Sequence, residues 1–246
     1  DHLEEQLPPT SAWGKRAVVA RTSPRGKAPD LIRVVAHEPA TKVTVAGAPV
    51  AIPTLAAGGS FDFEITGDVE VSADHPVLVV QFLEGQNAPG AANDPCVQDT
   101  FFDPCDGTTE MPCHCYDTVN GGLTAQSCLY DADCTPDDAN TGDPSMIVTV
   151  PVERYRTEAG FLIPPGYAHG FASIVAETGS TVTLDGEAVA AASFTPTPSG
   201  EFQSATLELP PGGHVVKSDK KIGVTVYGWD RYVSYGYPAG MAFPKP

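Results

Sequence analysis

The sequence predicts an all-β chain: two tandem β-sandwich-like repeats separated by a disulfide-rich acidic insert. Three observations carry this prediction. Short stretches alternate apolar and polar residues, the same series of stretches occurs twice, and all six cysteines fall between the two copies. With 24 Gly, 24 Pro and 18% charged residues among 246, the composition suits short strands joined by turns better than helices with salt-bridged faces. A chain of this length can bury a core of its own.

The first copy carries Val34-Val35-Ala36 followed by Lys42-Val43-Thr44-Val45-Ala46-Gly47. The second carries Ile174-Val175-Ala176 followed by Thr181-Val182-Thr183-Leu184-Asp185-Gly186. Both alternate with period two and then turn at a glycine, the pattern of a half-buried β-hairpin. The echo continues through Gly59-Ser60-Phe61 against Gly200-Glu201-Phe202, and through Val71-Ser72-Ala73-Asp74 against Val216-Lys217-Ser218-Asp219. Each copy then enters a strand of β-branched and aromatic residues, Val77 to Phe82 and Ile222 to Tyr227. A weaker echo sets Asp1, Pro9 and Trp13 in step with Asp143, Pro151 and Tyr155. The resulting domains are a first β repeat at 1–84, a Cys-rich acidic insert at 85–142 and a second β repeat at 143–246. Two sheets packed face to face would bury the inner rows of each repeat. Two units are too few to close a propeller. Helix is expected only as a turn or two near Pro151 to Tyr155.

The insert is polar and lacks a periodic apolar pattern, so cross-links rather than burial must fold it. Cys96, Cys105, Cys113, Cys115, Cys128 and Cys134 form an even, clustered set, which reads as a disulfide framework made in an oxidising compartment. The expected location is therefore extracellular or at the cell surface. Fifteen pairings remain open, although Cys113 and Cys115 are not expected to bond each other across one intervening residue. Zinc at Cys113-His114-Cys115 is disfavoured, because structural zinc sites place two to four residues between their cysteines. Asp131, Asp133, Asp137 and Asp138 supply hard oxygen ligands of the kind calcium takes in extracellular modules. Counting from Asp131, however, an EF-hand loop would have Gly and Glu where Pro136 and Gly142 stand. A calcium site and a solvated acidic loop both remain open, the loop being favoured. No other cofactor is indicated.

A net charge of −17, with no Lys or Arg between Lys42 and Arg154, argues against a nucleic-acid partner, since phosphate recognition rests on basic side chains. No apolar run approaches the length needed to span a bilayer as a helix. A nucleophile elbow, a zinc-protease helix, a P-loop and a dinucleotide fingerprint are all missing, so the chain is expected not to be an enzyme. Carboxylate pairs for glycan chemistry would not show in spacing alone. The segment from Tyr227 to Tyr237 gathers Tyr227, Trp229, Tyr232, Tyr235 and Tyr237, four of the eight tyrosines and one of the two tryptophans. Such rings serve recognition surfaces, but alternate rings on a strand can equally face a core. Gly142-Asp143-Pro144 resembles the Gly-Asp-Pro-His self-cleavage site of von Willebrand type D domains, yet Ser145 stands where the histidine would be. This triplet is read as a turn entering the second repeat.

Several of these pieces recur together in one family. Asp1-His2-Leu3-Glu4-Glu5-Gln6-Leu7-Pro8-Pro9, Trp13-Gly14-Lys15, Ile32-Arg33-Val34-Val35-Ala36, Gly142-Asp143-Pro144-Ser145-Met146 and Ser234-Tyr235-Gly236-Tyr237-Pro238-Ala239-Gly240 resemble, in order, the IgGFc-binding protein N-terminal domain family. The resemblance implies an extracellular protein without an established catalytic activity, akin to a mucus component of animals and to large bacterial surface proteins. It also implies a module entered partway, because the family's opening stretch usually follows a cysteine and an earlier β repeat. The insert is larger than the family pattern. An adhesion or binding module contacting extracellular protein or glycan partners is the leading expectation. A filament subunit assembled as a homo-oligomer through sheet edges and a carbohydrate-binding or carbohydrate-active domain are the alternatives.

Overall fold

Alternation places the strands. The computed structural model describes residues 5–23, 29–83, 85, 96–98, 113–117, 122–128, 142–230 and 233–243. The first repeat holds β1 (Gly14–Val19), β2 (Asp30–Ala36), β3 (Val43–Ala46), β4 (Ser60–Ile65) and the long β5 (Val69–Leu83). In the insert lie β6 (Cys96–Gln98), β7 (Cys113–Asp117) and β8 (Gly122–Ser127), a small sheet of their own, followed in the chain by β9 (Ser145–Val148). The second repeat holds β10 (Arg156–Ile163), β11 (His169–Glu177), β12 (Val182–Leu184), β13 (Glu187–Ala188), β14 (Thr195–Pro196), β15 (Phe202–Glu208), the long β16 (Gly212–Asp230) and β17 (Val233–Pro238). Among the described residues there is no α-helix, only 3-10 turns at Thr10–Ala12, Val152–Arg154 and Ala191–Ser193.

Each large sheet is organised around its long strand. The first part of β5 lies between β1 and β3, and its last part is flanked by β2 and β9. In the second copy β16 lies between β10 and β12, then between β11 and β17. Even the irregularities match: the β1–β5 register slips between Gly14 and Arg16, and the β10–β16 register slips between Arg156 and Glu158. Pro76, which has no N–H to give a ladder, falls in the slipped stretch of β5.

Where the sequence suggests two stacked sheets per repeat, the structure has one continuous sheet per repeat that folds over its own core. In the first copy, Val43 of β3 and Phe63 of β4 come from well-separated strands, yet they share one apolar cluster with Ile32, Val34, Val71 and Val79. In the second, Ile163, Ile174, Val182, Val216 and Val224 do the same. Each such buried aliphatic side chain contributes about 1.5–3 kcal/mol relative to exposure.

One device is repeated where β3 and β12 meet the long strands, although only the second copy turns back as the hairpin the sequence suggests for both: β12 pairs with β13, whereas among the described residues β3 pairs with β5 alone. The Asp74 carboxylate accepts from the Lys42 backbone N–H at 2.8 Å, and Asp219 accepts from that of Thr181 at 2.9 Å. That bond to Lys42 holds the Asp74 carboxyl below its usual pKa. Between β12 and β13 the turn is Asp185-Gly186, both with positive φ (54° and 89°), as a two-residue type I′ hairpin requires. There the Asp185 carboxylate accepts from the Val215 N–H at 2.8 Å and lies 2.7 Å from His214 Nδ1, while His214 Nε2 lies 3.0 Å from the Pro210 carbonyl oxygen. Both ring nitrogens therefore face acceptors, which suits the protonated ring.

Burial opposes that charge, but the Asp185 carboxylate and the Pro210 carbonyl outweigh it, and the His214 pKa is raised. A raised histidine pKa adds stability that is complete below about pH 6.5, the unfolded value, and is lost as pH rises through the folded value. Thermal melts should show this loss in the wild type and a flatter profile in Asp185→Asn. Equal slopes in the two proteins would contradict the pairing.

One echo does not survive in three dimensions. Phe61 stands opposite Val34, whereas Phe202 stands opposite Glu177, so the ladder equivalent of Phe61 is Ala205. The connection into β15 is longer than the one into β4, and β15 starts earlier on its partner. Ser145–Val148, placed by the sequence at the head of the second repeat, hydrogen-bonds to Leu83–Val80 and so completes the first sheet.

The two sheets meet along a seam. Val18 of β1 and Ala20 just after it pack with Val150, Tyr155, Val175 and Phe202, and Leu83 and Ile147 pack with Phe171, Tyr227 and Trp229. Glycines let the surfaces close. A Cβ at Gly223 would lie 2.3 Å from Tyr155 Cε1, and one at Gly236 would lie 2.4 Å from Ile147 Cγ1. Glu70, 7% exposed, reaches across to accept from Thr197 Oγ1 (2.6 Å), Ser199 Oγ (2.7 Å) and the Ser199 N–H (3.1 Å). Arg16 forms a two-pronged pair with Glu201 at 3.0 and 2.7 Å. Being largely in solvent, that pair contributes at most about 1 kcal/mol.

Candidate functional site

The aromatic segment is mostly internal. Tyr227 and Trp229, two residues apart on β16, share one face and are 0% and 5% exposed. Their rings stack with Phe171, opposite on β11, at 5.4 and 4.9 Å. Burial pushes the Tyr227 pKa up to about 12, and its hydroxyl accepts from the Ser23 N–H at 2.8 Å. Tyr235 and Tyr237 of β17 are half-buried against the second core. The Tyr237 hydroxyl accepts from the Leu162 N–H and donates to the Leu162 carbonyl, acting on β10 as one more strand residue would. Tyr235 packs edge-on against Tyr167 at 4.6 Å, and burial raises its pKa. Tyr232 lies outside the described residues. Of the two sequence readings for these rings, packing is what Tyr227 and Trp229 do, because residues two apart on a strand point the same way.

Asp131, Asp133, Asp137 and Asp138 also lie outside the described residues, as do Cys105 and Cys134. Cys96 and Cys128 form a disulfide with a Cα–Cα distance of 5.9 Å, and Cys113 and Cys115 are disulfide-bonded as well. These four cysteines are the buried centre of the insert's small sheet. No cluster of three or more metal-binding side chains occurs among the described residues.

What the fold does build is an open groove of about 650 Å³ on the seam. The segment after β1 supplies Arg21, Thr22 and Ser23, and the turn before β5 supplies Asp68. Opposite them, β14 supplies Thr195 and β15 supplies Ser204, Thr206 and Glu208, with Phe171 as an aromatic wall. Several of these groups hold one another in place. Asp68 accepts from the Arg21 N–H at 2.9 Å and from the Ser204 hydroxyl. The Thr22 N–H and hydroxyl donate to buried Asp30 at 2.8 and 2.6 Å. Thr206 Oγ1 is 2.8 Å from Ser173 Oγ, and Glu208 Oε1 is 2.9 Å from His169 Nδ1. The groove is thus a fixed polar surface of hydroxyls and carboxylates beside one ring, suited to hydrogen-bonding a ligand. Two other hollows on the molecule, about 10 Å³ each, admit no more than a water.

Motif reading misses this site. The one local signal is Ser204, Thr206 and Glu208 alternating with Ala205 and Leu207, a polar row on one strand face. Nothing in the sequence says that Asp68 and Arg21 lie across from it.

Two β repeats joined along a seam, with a polar groove on it, define an all-β domain of binding type. The family model described as IgGFc binding protein matches residues 1–228, and the chain belongs to that family, which has no catalytic assignment. No curated protein matches the chain. Among solved structures it is similar to an anti-sigma factor domain-containing protein from Clostridium clariflavum, with 9% identity, 94% of this chain and 84% of that one covered, and a TM-score of 0.22. It is also similar to a lectin from Pleurotus ostreatus in complex with GalNAc, with 10% identity, 92% and 75% coverage, and a TM-score of 0.23. Likeness at that level says nothing about a ligand for this chain.

Proposed function

We propose that the chain is a secreted or cell-surface adhesion module, without catalytic activity, that holds an extracellular protein or glycan partner in the groove between its two β repeats. The carrying observation is the groove itself: polar groups of both repeats, joined by the Ser204–Asp68 hydrogen bond, with Thr195, Thr206 and Glu208 exposed beside Phe171. Preorganised polar groups around a ring bind without having to be ordered first. The disulfides of the insert support an oxidising location. The acidic balance of the chain favours neutral or basic partners.

Because the family's description names the Fc region of IgG, IgG Fc is the first protein to test, beside an array of neutral and basic glycans. Thr195 is exposed on the groove wall, so Thr195→Trp fills the groove without touching the core. Surface plasmon resonance should show a partner bound by the wild type and held at least tenfold more weakly by Thr195→Trp. A partner held equally by both would place recognition elsewhere.

A further inference from the structure

We infer that β15 is an acceptor edge in this groove, onto which an extended, basic peptide segment of a partner adds as a further strand. The inference deepens the groove reading and rests on it.

The register shows which backbone groups are free. The Leu209 N–H donates to the Gly170 carbonyl and the Thr178 N–H to the Glu201 carbonyl, in line with the β11–β15 ladder. Odd-numbered residues of β15 therefore bond to β11, and even-numbered ones face the other way. On that outer side, Phe202 accepts from the Thr197 N–H, and Ser204 stands opposite Thr195 of β14. The next partners in line for Thr206 and Glu208 would be Ser193 and Ala191. Those residues instead form the 3-10 turn Ala191–Ser193, with the Ser193 N–H given to Ala190 and the Phe194 N–H to Ala191. The chain of β14 thus leaves the edge one step too early. Among the described residues no backbone group pairs with the outward N–H and C=O of Thr206 or Glu208, and both residues are exposed.

Such an edge is a template for strand addition. Thr206 and Glu208 are about 6.8 Å apart along the strand, so a segment of about five residues would continue the line of β14. Its alternate side chains would fall in the groove that Ser204, Thr206 and Glu208 line. Charge selects the occupant. Asp68 and Glu208 outnumber Arg21 in the groove, and the whole chain carries −17. A Lys- or Arg-bearing strand is complementary. A second copy pairing edge to edge would set Glu208 close to its own counterpart, and like charges across a strand pair are destabilising.

The test uses the full chain and a labelled pentapeptide, Thr-Lys-Val-Lys-Thr, with a version N-methylated at alternate amides. Thr206→Pro removes the outward donor and the hydroxyl contact to Ser173 but leaves the backbone bonds to β11 intact, since proline is tolerated on an edge; its fold is checked by amide spectra, and Thr206→Val, which loses only the hydroxyl, should bind the peptide as the wild type does. Expected are binding of the plain peptide, slower amide exchange at Thr206 and Glu208 in its presence, and at least tenfold weaker binding both by Thr206→Pro and of the N-methylated peptide. Absence of binding at millimolar peptide overturns the inference, as does binding with unchanged exchange or with equal affinity for the N-methylated form. Self-association of the wild type that Thr206→Pro abolishes would assign the edge to a second copy and overturn it too. If IgG Fc or a glycan is still lost on Thr195→Trp while the peptide fails, strand addition falls and the groove reading stands.

Discussion

Replacing Trp229 by alanine is expected to lower stability by about 3–5 kcal/mol, the range for deleting a buried indole. Trp229 is 5% exposed and packs on Phe171, Tyr227 and the His169 ring at 4.9, 6.1 and 5.6 Å. Small domains are stable by only about 5–15 kcal/mol in total, so the variant should unfold at a much lower guanidinium concentration. Trp229→Phe, which keeps a ring against Phe171, should lose far less. A loss for Trp229→Ala below about 1 kcal/mol would show that the ring is not packed in solution. Phe171 also walls the groove, so ligand loss in Trp229→Ala would report a disturbed support rather than a lost contact.

The second large effect is expected at Glu70. Removing its carboxylate in Glu70→Ala leaves Thr197 Oγ1, Ser199 Oγ and the Ser199 N–H without their shared acceptor on a buried seam. Hydrogen bonds to a charged group contribute about 1.5–3 kcal/mol each, and bonds to one carboxylate are not additive, so a total near 3 kcal/mol is expected. A double-mutant cycle with Thr197→Ala should return a coupling of about 1 kcal/mol or more. Strict additivity would mean that the two repeats do not meet there.

Local features were legible in the sequence because they depend on neighbours in the chain. Period-two alternation located β3 and β12, although only β12 turns back as the expected hairpin, and the paired Asp74 and Asp219 turned out to hold the same backbone position in each copy. The faintest echo was among the most faithful: Pro9 and Pro151 each open a 3-10 turn, and Trp13 and Tyr155 close it with nearly the same φ and ψ. Alternation could not show that two apolar stretches on either side of Pro76 are one strand, so the single sheet per repeat was not foreseen. Nor could it show that Ser145–Val148 serves the first sheet, since strand pairing is a long-range choice. The groove was invisible for the same reason, its walls coming from residues 21–23, 68, 171 and 193–208. The clustered rings of Tyr227 and Trp229 stood out in the sequence and proved to be its support.

The joining of the two repeats into one unit has a natural pair of reporters, since Trp13 packs beside Leu78, Val80 and Val148 in the first repeat while Trp229 lies in the second. In Trp229→Phe and Trp13→Phe, guanidinium unfolding followed by the remaining tryptophan should coincide with the far-ultraviolet circular dichroism of the same protein. A fluorescence midpoint clearly displaced from the dichroism midpoint in either variant would mean repeats that fold independently, a loose seam and no fixed groove.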